Sequence, residues 1–363
     1  EIYSVLCMLV DKNISTDVIN LLTQLIATES FSRQEDQTAG LIEYFFSQRG
    51  IPTERIGNNI IARSKKWSAQ QPTILLNSHH DTVKPANGYT KDPFNPKITN
   101  GVLYGLGSND AGGSLVALLA TFMHLYSHQD LGYNLIFVAS AEEEISGPNG
   151  IAAVRNKITP IDLGIIGEPT QMRMAIAEKG LMVVDGEAIG KSGHAAREEG
   201  INAIYIALKD IDWIRNYEFE KISEVLGKTK MTVSQIQAGT QHNVVPDSCK
   251  FVIDIRTNEE YGNEEVFNFL QKNTTSNLKA RSFRLNSSKI GLDHPIVKRG
   301  LELGRAYYGS PTLSDQALLP FTTIKIGCGK SERSHTADEF IYLQEIEEGI
   351  SIYLQLLDDL KLD

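Results

Sequence analysis

Cysteine is scarce in this chain: three in 363 residues, Cys7, Cys249 and Cys328, far apart and with no Cys-x-x-Cys pair. That scarcity excludes a disulfide framework and a thiolate zinc site, and it makes a reducing cytosol the expected compartment. Positive charge is also short. Against 45 Asp and Glu there are 35 Lys and Arg, a net charge of -10 with a pI near 5.4. The balance opposes sequence-independent attraction to phosphate backbones or anionic lipid, so neither nucleic acid nor a membrane is an expected partner. The apolar run Ile2 to Val10 is too short to span a bilayer and lacks a preceding basic segment and a small-residue cleavage site, so no targeting signal is expected. Met8 precedes the first helix signal, which makes the residues before it candidates for a start-site extension.

What is present is an ordinary globular composition, 41% apolar and 22% charged, in a chain of 40.2 kDa, more than one hydrophobic core usually organises. Two packed units, or one carrying a large insertion, are expected. Ser15-Thr16-Asp17 before Val18, Leu21, Leu22, Leu25 and Ile26 reads as a capped first helix, and Leu41, Ile42, Phe45 and Phe46 mark a second that stops at Gly50. Short apolar runs then recur at Thr73 to Leu76, Leu135 to Ala139, Leu163 to Ile166 and Thr322 to Ile326, with a helical stretch, Ser114 to Tyr126, between the first two. Buried strands alternating with helices predict an α/β fold, a mostly parallel sheet with helices on both faces. Between about residues 173 and 288 the pattern changes to alternating strands at Leu181 to Ile189, Met231 to Ile236 and Phe251 to Ile255, separated by helices at Asn202 to Ile214 and Glu264 to Leu270. This order predicts a smaller inserted α+β domain, 173–288, within a catalytic domain formed by 1–172 and 289–363.

Ligands of parallel sheets bind beyond the carboxyl ends of the strands. There the sequence places His79-His80-Asp81, Glu142-Glu143-Glu144, Glu168 and, after a glycine-rich turn, Ser334-His335-Thr336; Asp110 stands where the crossover helix should begin. Imidazoles with carboxylates and no thiolate form a ligand set for catalytic zinc, cobalt or manganese, and so many carboxylates on one edge call for divalent cations to neutralise them. Taken alone, Glu142-Glu143-Glu144 reads as a solvated charge run; four strand ends carrying ligand-type residues together read as a site. His124 and His128, i and i+4 on the crossover helix, lack the glutamate of a His-Glu-x-x-His motif and read as helix-surface residues. Two other motifs fail on count. Gly186 to Ser192 is one residue short of a phosphate-binding loop, and Gly105-Leu106-Gly107 has no third glycine at dinucleotide spacing.

Six motifs in order, His79-His80-Asp81-Thr82-Val83, Gly107-Ser108-Asn109-Asp110-Ala111-Gly112-Gly113, Ala141-Glu142-Glu143-Glu144, Gly167-Glu168-Pro169-Thr170, Gly193-His194-Ala195-Ala196 and Ser334-His335-Thr336-Ala337-Asp338-Glu339, resemble those of the co-catalytic di-zinc amidohydrolases and exopeptidases that include acetylornithine deacetylase, succinyl-diaminopimelate desuccinylase and carboxypeptidase G. The resemblance runs from about residue 15 to the C-terminus and, by size and by Asn243-Val244-Val245-Pro246-Asp247 and Asp254-Ile255-Arg256, is greatest to the acetylornithine deacetylases. It departs at Ser78, at Lys84-Pro85 and at Glu142, where the family commonly has glycine, an earlier proline and aspartate; none of these is a ligand.

The resemblance implies two divalent metal ions, zinc or cobalt, with His79 and Glu168 on one, Glu144 and His335 on the other, and Asp110 bridging. It implies that Asp81 orients His79 and that Glu143 is the general base. His194, Asn243 and Arg256 would reach the substrate, His194 across a homodimer formed through the inserted lid, with Arg256 alternatively paired to Asp254. The implied reaction is removal of an N-acyl group from an amino acid, N2-acetylornithine first, with acetylcitrulline, N-succinyl amino acids and dipeptides as alternatives. A non-catalytic carboxylate-binding module would have no need of Glu143.

Overall fold

The computed structural model describes residues 12–128, 131–197 and 199–362. The run Ile2 to Val10, Met8 and Cys7 lie outside them. By the packing of its backbone the chain divides into two compact units.

The first unit comprises the described residues up to Ile176, Ile290–Tyr308 and those from Ser314 onward. Its sheet runs, in spatial order, Thr53–Ile56, Asn59–Arg63, Asn134–Ser140, Thr73–His79, Leu163–Ile166, Thr323–Lys325 and Met174–Glu178. The four from Asn134–Ser140 to Thr323–Lys325 are parallel, and the flanking strands pair antiparallel. Every residue of Thr73–His79 and of Asn134–Ser140 is buried, which requires both faces of the sheet to be covered. The crossover helix Gly113–Leu125 packs on Thr73–His79, on the first helix and on Leu343–Leu357. Rings of Phe46, Phe122 and Phe137 meet at 5.6 to 6.0 Å between centroids, fixing the second helix, Asp36–Ser47, and the crossover helix to the sheet.

The second unit, Ala177–Lys289 with Gly309–Leu313, is a four-stranded antiparallel sheet in the order Lys230–Ala238, Ser248–Arg256, Met182–Ile189, Asn277–Ala280, with helices Ala203–Asn216 and Asn263–Asn273. Burial along Met182–Ile189 alternates, the inward residues Met182, Val184 and Ala188 joining Phe251, Ile253, Ile255, Val266 and Leu270 in one core.

Two expectations need correction. The first helix begins at Lys12, not after a cap at Ser15-Thr16-Asp17; Ser15 is buried within it and the Thr16 hydroxyl donates back to the Lys12 carbonyl. The helix-compatible spacing of the apolar residues continues upstream of the polar triplet, so cap-forming residue types there are simply internal. Gly309–Leu313 belongs to the second unit rather than to the first, because the Ser310 carbonyl accepts the Lys179 amide and Gly309 lies against the Val225 backbone.

Candidate metal centre

Thr73–His79 ends on His79, and Asn134–Ser140 runs beside it in parallel register with Ser140 opposite His79. The turn after Ser140 therefore lands next to the imidazole. In that turn Glu142 takes a left-handed conformation (φ 54°), its carboxylate accepting from the Asn149 amide and side chain, and Glu143 and Glu144 follow in a tight helical turn. The third parallel strand, Leu163–Ile166, delivers Glu168. Asp110 comes from a loop that depends on two glycines. Gly107 has φ +75°, where a Cβ would lie 2.6 Å from Thr82 Cγ2, and a Cβ on Gly112 would lie 2.4 Å from the Gly107 carbonyl oxygen.

These elements bring six ligand-type side chains together. His79 Nε2 stands 3.4 Å from Asp110 Oδ1 and 3.8 Å from both Glu143 Oε2 and Glu168 Oε1. His335 Nε2 lies 3.1 Å from Glu144 Oε2 and 3.5 Å from Asp110 Oδ2. The two oxygens of Asp110 thus face two different imidazoles. Asp81 ties the arrangement together. Its carbonyl accepts from His79 Nδ1 at 2.9 Å, and its carboxylate, 3.5 Å from the same nitrogen, accepts the amides of Glu143 and Glu144 and the Ser32 hydroxyl.

With Nδ1 donating to Asp81, Nε2 is the nitrogen that offers a lone pair. It is buried, without a hydrogen-bond partner, and surrounded by carboxylate oxygens at 3.4 to 3.8 Å. An orphaned buried nitrogen amid carboxylates fits a cation. The proton affinities agree. Burial, then the charge of Glu168, pushes the Glu143 carboxyl well above its usual range, and burial takes Glu168 up to about 8 against the pull of His79. Burial opposes a charged His79, yet the charge of Glu143 and the contacts of Asp110 and Asp81 raise it well above its ordinary value; the bond to Glu144 lifts His335 to about 9. Proton affinities raised in this way mark a site short of positive charge, which bound cations would supply.

The neighbouring His80 has a different task. It is buried, its ring nitrogens meet the Thr38 hydroxyl and the Asn58 carbonyl, each at 2.9 Å, and burial lowers its affinity for a proton. In the second unit, His194 and Asn243 occupy one short exposed ladder: Gly193–His194 pairs with Val244–Val245, and the Ala195 amide donates to the Asn243 carbonyl at 3.0 Å. Arg256, at the end of its strand, has Nε and Nη2 on the Asp254 carboxylate at 2.8 and 3.1 Å, so its fork is engaged by the neighbour that the sequence offered as the alternative partner.

Sequence reasoning missed Asp315. It is buried, accepts from Asn77 Nδ2 at 2.8 Å and Ser140 Oγ at 2.6 Å, and so joins the ends of the two central strands under the site; burial pushes it up to about 6. A Ser-Asp pair in a loop carries no periodic or metal-spacing signal. Glu35 was missed for the same reason: it holds the Glu142 amide and the Asn58 side chain.

The sequence matches peptidase family M20/M25/M40 over residues 75–359, and the chain belongs to that family. It is 28% identical to an uncharacterized metallohydrolase of Methanocaldococcus jannaschii, covering 92% of this chain and 95% of that one. It is 27% identical to the acetylornithine deacetylase of Proteus mirabilis, covering 94% and 96%. The fold is similar to that of a dinuclear metal-binding M20 peptidase of Bacillus subtilis, with a TM-score of 0.73 at 17% identity over 96% of this chain and 98% of the other.

Proposed function

We propose that this M20/M25/M40 hydrolase cleaves the amide bond of an N-acyl amino acid, and that its substrate is N2-acetyl-L-ornithine, giving L-ornithine and acetate in arginine biosynthesis. The observation that carries the reading is the Asp110 carboxylate set between the His79 and His335 imidazoles, with Glu144 and Glu168 on either side. Such a donor set suits two ions held by His79 and Glu168, by Glu144 and His335, and by Asp110 between them. We assign zinc, with cobalt able to serve. Divalent ions bound there would acidify water toward neutrality and polarise the scissile carbonyl.

The chain supplies the rest. Glu143, fixed through its amide on Asp81, takes the proton from the attacking water. As the C–N bond of the tetrahedral adduct breaks, Glu143 returns that proton to the amine nitrogen, leaving acetate and ornithine. His194 donates to the developing oxyanion, Asn243 beside it steadies the acyl group, and Arg256 takes the substrate carboxylate once its fork is shared with Asp254. Likeness to the acetylornithine deacetylase supports the acetyl choice.

A homodimer through the second unit, in the cytoplasm, completes the proposal. What supports the dimer is the nine-residue edge strand Lys230–Ala238 with exposed Ile236, and exposed Tyr205 and Leu208 on Ala203–Asn216. Among the described residues no helix is long and apolar enough to cross a membrane.

A panel of acetylornithine, acetylcitrulline, succinylornithine, succinyl-diaminopimelate and a dipeptide tests the assignment. The highest kcat/KM is expected on acetylornithine; a succinyl compound or the dipeptide ahead by tenfold reassigns the substrate, and hydrolysis of none with zinc bound removes the amidohydrolase reading.

A further inference from the structure

Glu339 lies outside the donor set, yet its carboxylate is wholly committed to the loop that carries Asp110. Oε1 accepts the amides of Asn109 at 2.8 Å and Asp110 at 2.9 Å, and Oε2 accepts that of Gly107 at 3.0 Å. Its main-chain carbonyl takes the Gly105 amide at 3.0 Å. Glu339 is 2% exposed, so water does not compete for these bonds.

The loop needs such a clamp. Asp110 (φ -115°, ψ 98°) and Ala111 (φ -116°, ψ 29°) are not helical, and no strand ladder satisfies the amides of Gly107, Asn109 and Asp110. Without Glu339 three N–H groups would be left unpaired, at a cost that a loop can escape only by moving. The Asn109 side chain adds a second tie, its Oδ1 accepting from the Lys330 amide and its Nδ2 donating to the Lys330 carbonyl, both at 2.9 Å. One short stretch therefore serves Asp110 twice: its His335 faces Oδ2 at 3.5 Å, and its Glu339 holds the Asp110 amide.

We propose that Glu339 is the positioning residue of the centre, holding the backbone of Asp110 so that one carboxylate oxygen faces His79 and the other faces His335. The proposal rests on the two-ion reading. Supports that orient metal ligands typically contribute 10 to 100-fold in affinity or activity, and this one acts on the ligand shared by both ions. Glu339→Gln is the sharp variant. Its shape is kept, but the amide end must set an N–H against an N–H of the loop, so one of the three bonds is replaced by a repulsion. Glu339→Ala removes all three.

Steady-state kinetics and three further measurements on the full-length chain test it. Zinc affinity is read by competition with a chromophoric chelator, amide exchange across residues 105–112 by mass spectrometry on the metal-free chain, and the unfolding midpoint on the same metal-free sample. In Glu339→Gln the zinc Kd is expected to rise about 10 to 100-fold, kcat to fall with KM nearly unchanged, and exchange at 105–112 to accelerate while the metal-free midpoint barely moves. Wild-type zinc affinity in both Glu339→Gln and Glu339→Ala overturns the proposal, as does a lowered midpoint with unchanged affinity, the signature of a merely structural role. A wild-type chain that takes up no zinc overturns the two-ion reading before any variant is compared, and the exchange difference alone then decides whether Glu339 holds the loop.

Discussion

Along Thr73–His79 all seven residues are buried, whereas along Met182–Ile189 burial alternates and the outward residues Val183, Asp185 and Glu187 are half-buried. The first sheet leads its polar residues into a mostly buried cluster where hydrogen bonds leave them little freedom: Asp81 alone accepts from Ser32, Glu143 and Glu144. The second spreads its charges over a surface as pairs, Asp185 with Arg281 and Asp254 with Arg256, each exchangeable for water or ligand at small cost. The difference suits a division in which chemistry sits where geometry is overdetermined, and recognition sits where side chains can adapt.

On this division of roles, removing metal should affect the first unit most. Chelation should abolish hydrolysis, and zinc or cobalt should restore it. Zinc at 1000 times its Kd should stabilise the fold by about 4 kcal/mol, seen as a higher melting temperature. Full activity in protein shown by elemental analysis to be metal-free would break the comparison outright.

The next effect separates chemistry from binding within that unit. Glu143→Ala should lower kcat by roughly 10²- to 10⁴-fold with metal content retained, while Asp110→Ala should lose metal. Metal lost from Glu143→Ala but kept in Glu144→Ala would mean that the two glutamates are assigned the wrong way round.

In the second unit His194→Ala should cost about 10²- to 10³-fold in kcat, little in KM and nothing in metal content. Mixing that chain with Glu143→Ala should regenerate activity if His194 acts across a dimer, because one site of each heterodimer then escapes both lesions. No recovery in a verified heterodimer means that His194 works within its own subunit or not at all.

The smallest effect is on packing. A Cβ on Gly186 would stand 2.4 Å from the Phe251 ring, so Gly186→Ala should destabilise the second unit by about 1 to 3 kcal/mol in denaturant melts. Zinc affinity should stay at the wild-type value, and a fall would show that the units are coupled more tightly than the comparison allows.

Much of the fold is legible in the sequence. Fully buried strands announce themselves as continuous apolar runs, and Thr73 to Leu76 and Leu135 to Ala139 did so, although the strands run on through Asn77, Ser78 and His79 and through Ser140. Polar strand ends escape a hydrophobic pattern because their burial is satisfied by partners that the pattern does not name, Asp315 for Asn77 and Ser140, Gly167 for Ser78.

By itself the sequence determined the elements, the residue types at the strand ends and their order, since periodicity and ligand chemistry are written locally. Tertiary structure alone decided which of those residues meet. His335 reaches Glu144 across 191 positions, Glu339 the Asp110 amide across 229, and Asp315 the Asn77 side chain across 238. Closing such loops costs entropy that grows only with the logarithm of their length, so separation leaves almost no trace in the intervening sequence. The buried sheet repays that cost by its packing, and only when it has formed do one imidazole and two carboxylates, distant in sequence from their partners, find the amides, hydroxyls and acids that give them their roles.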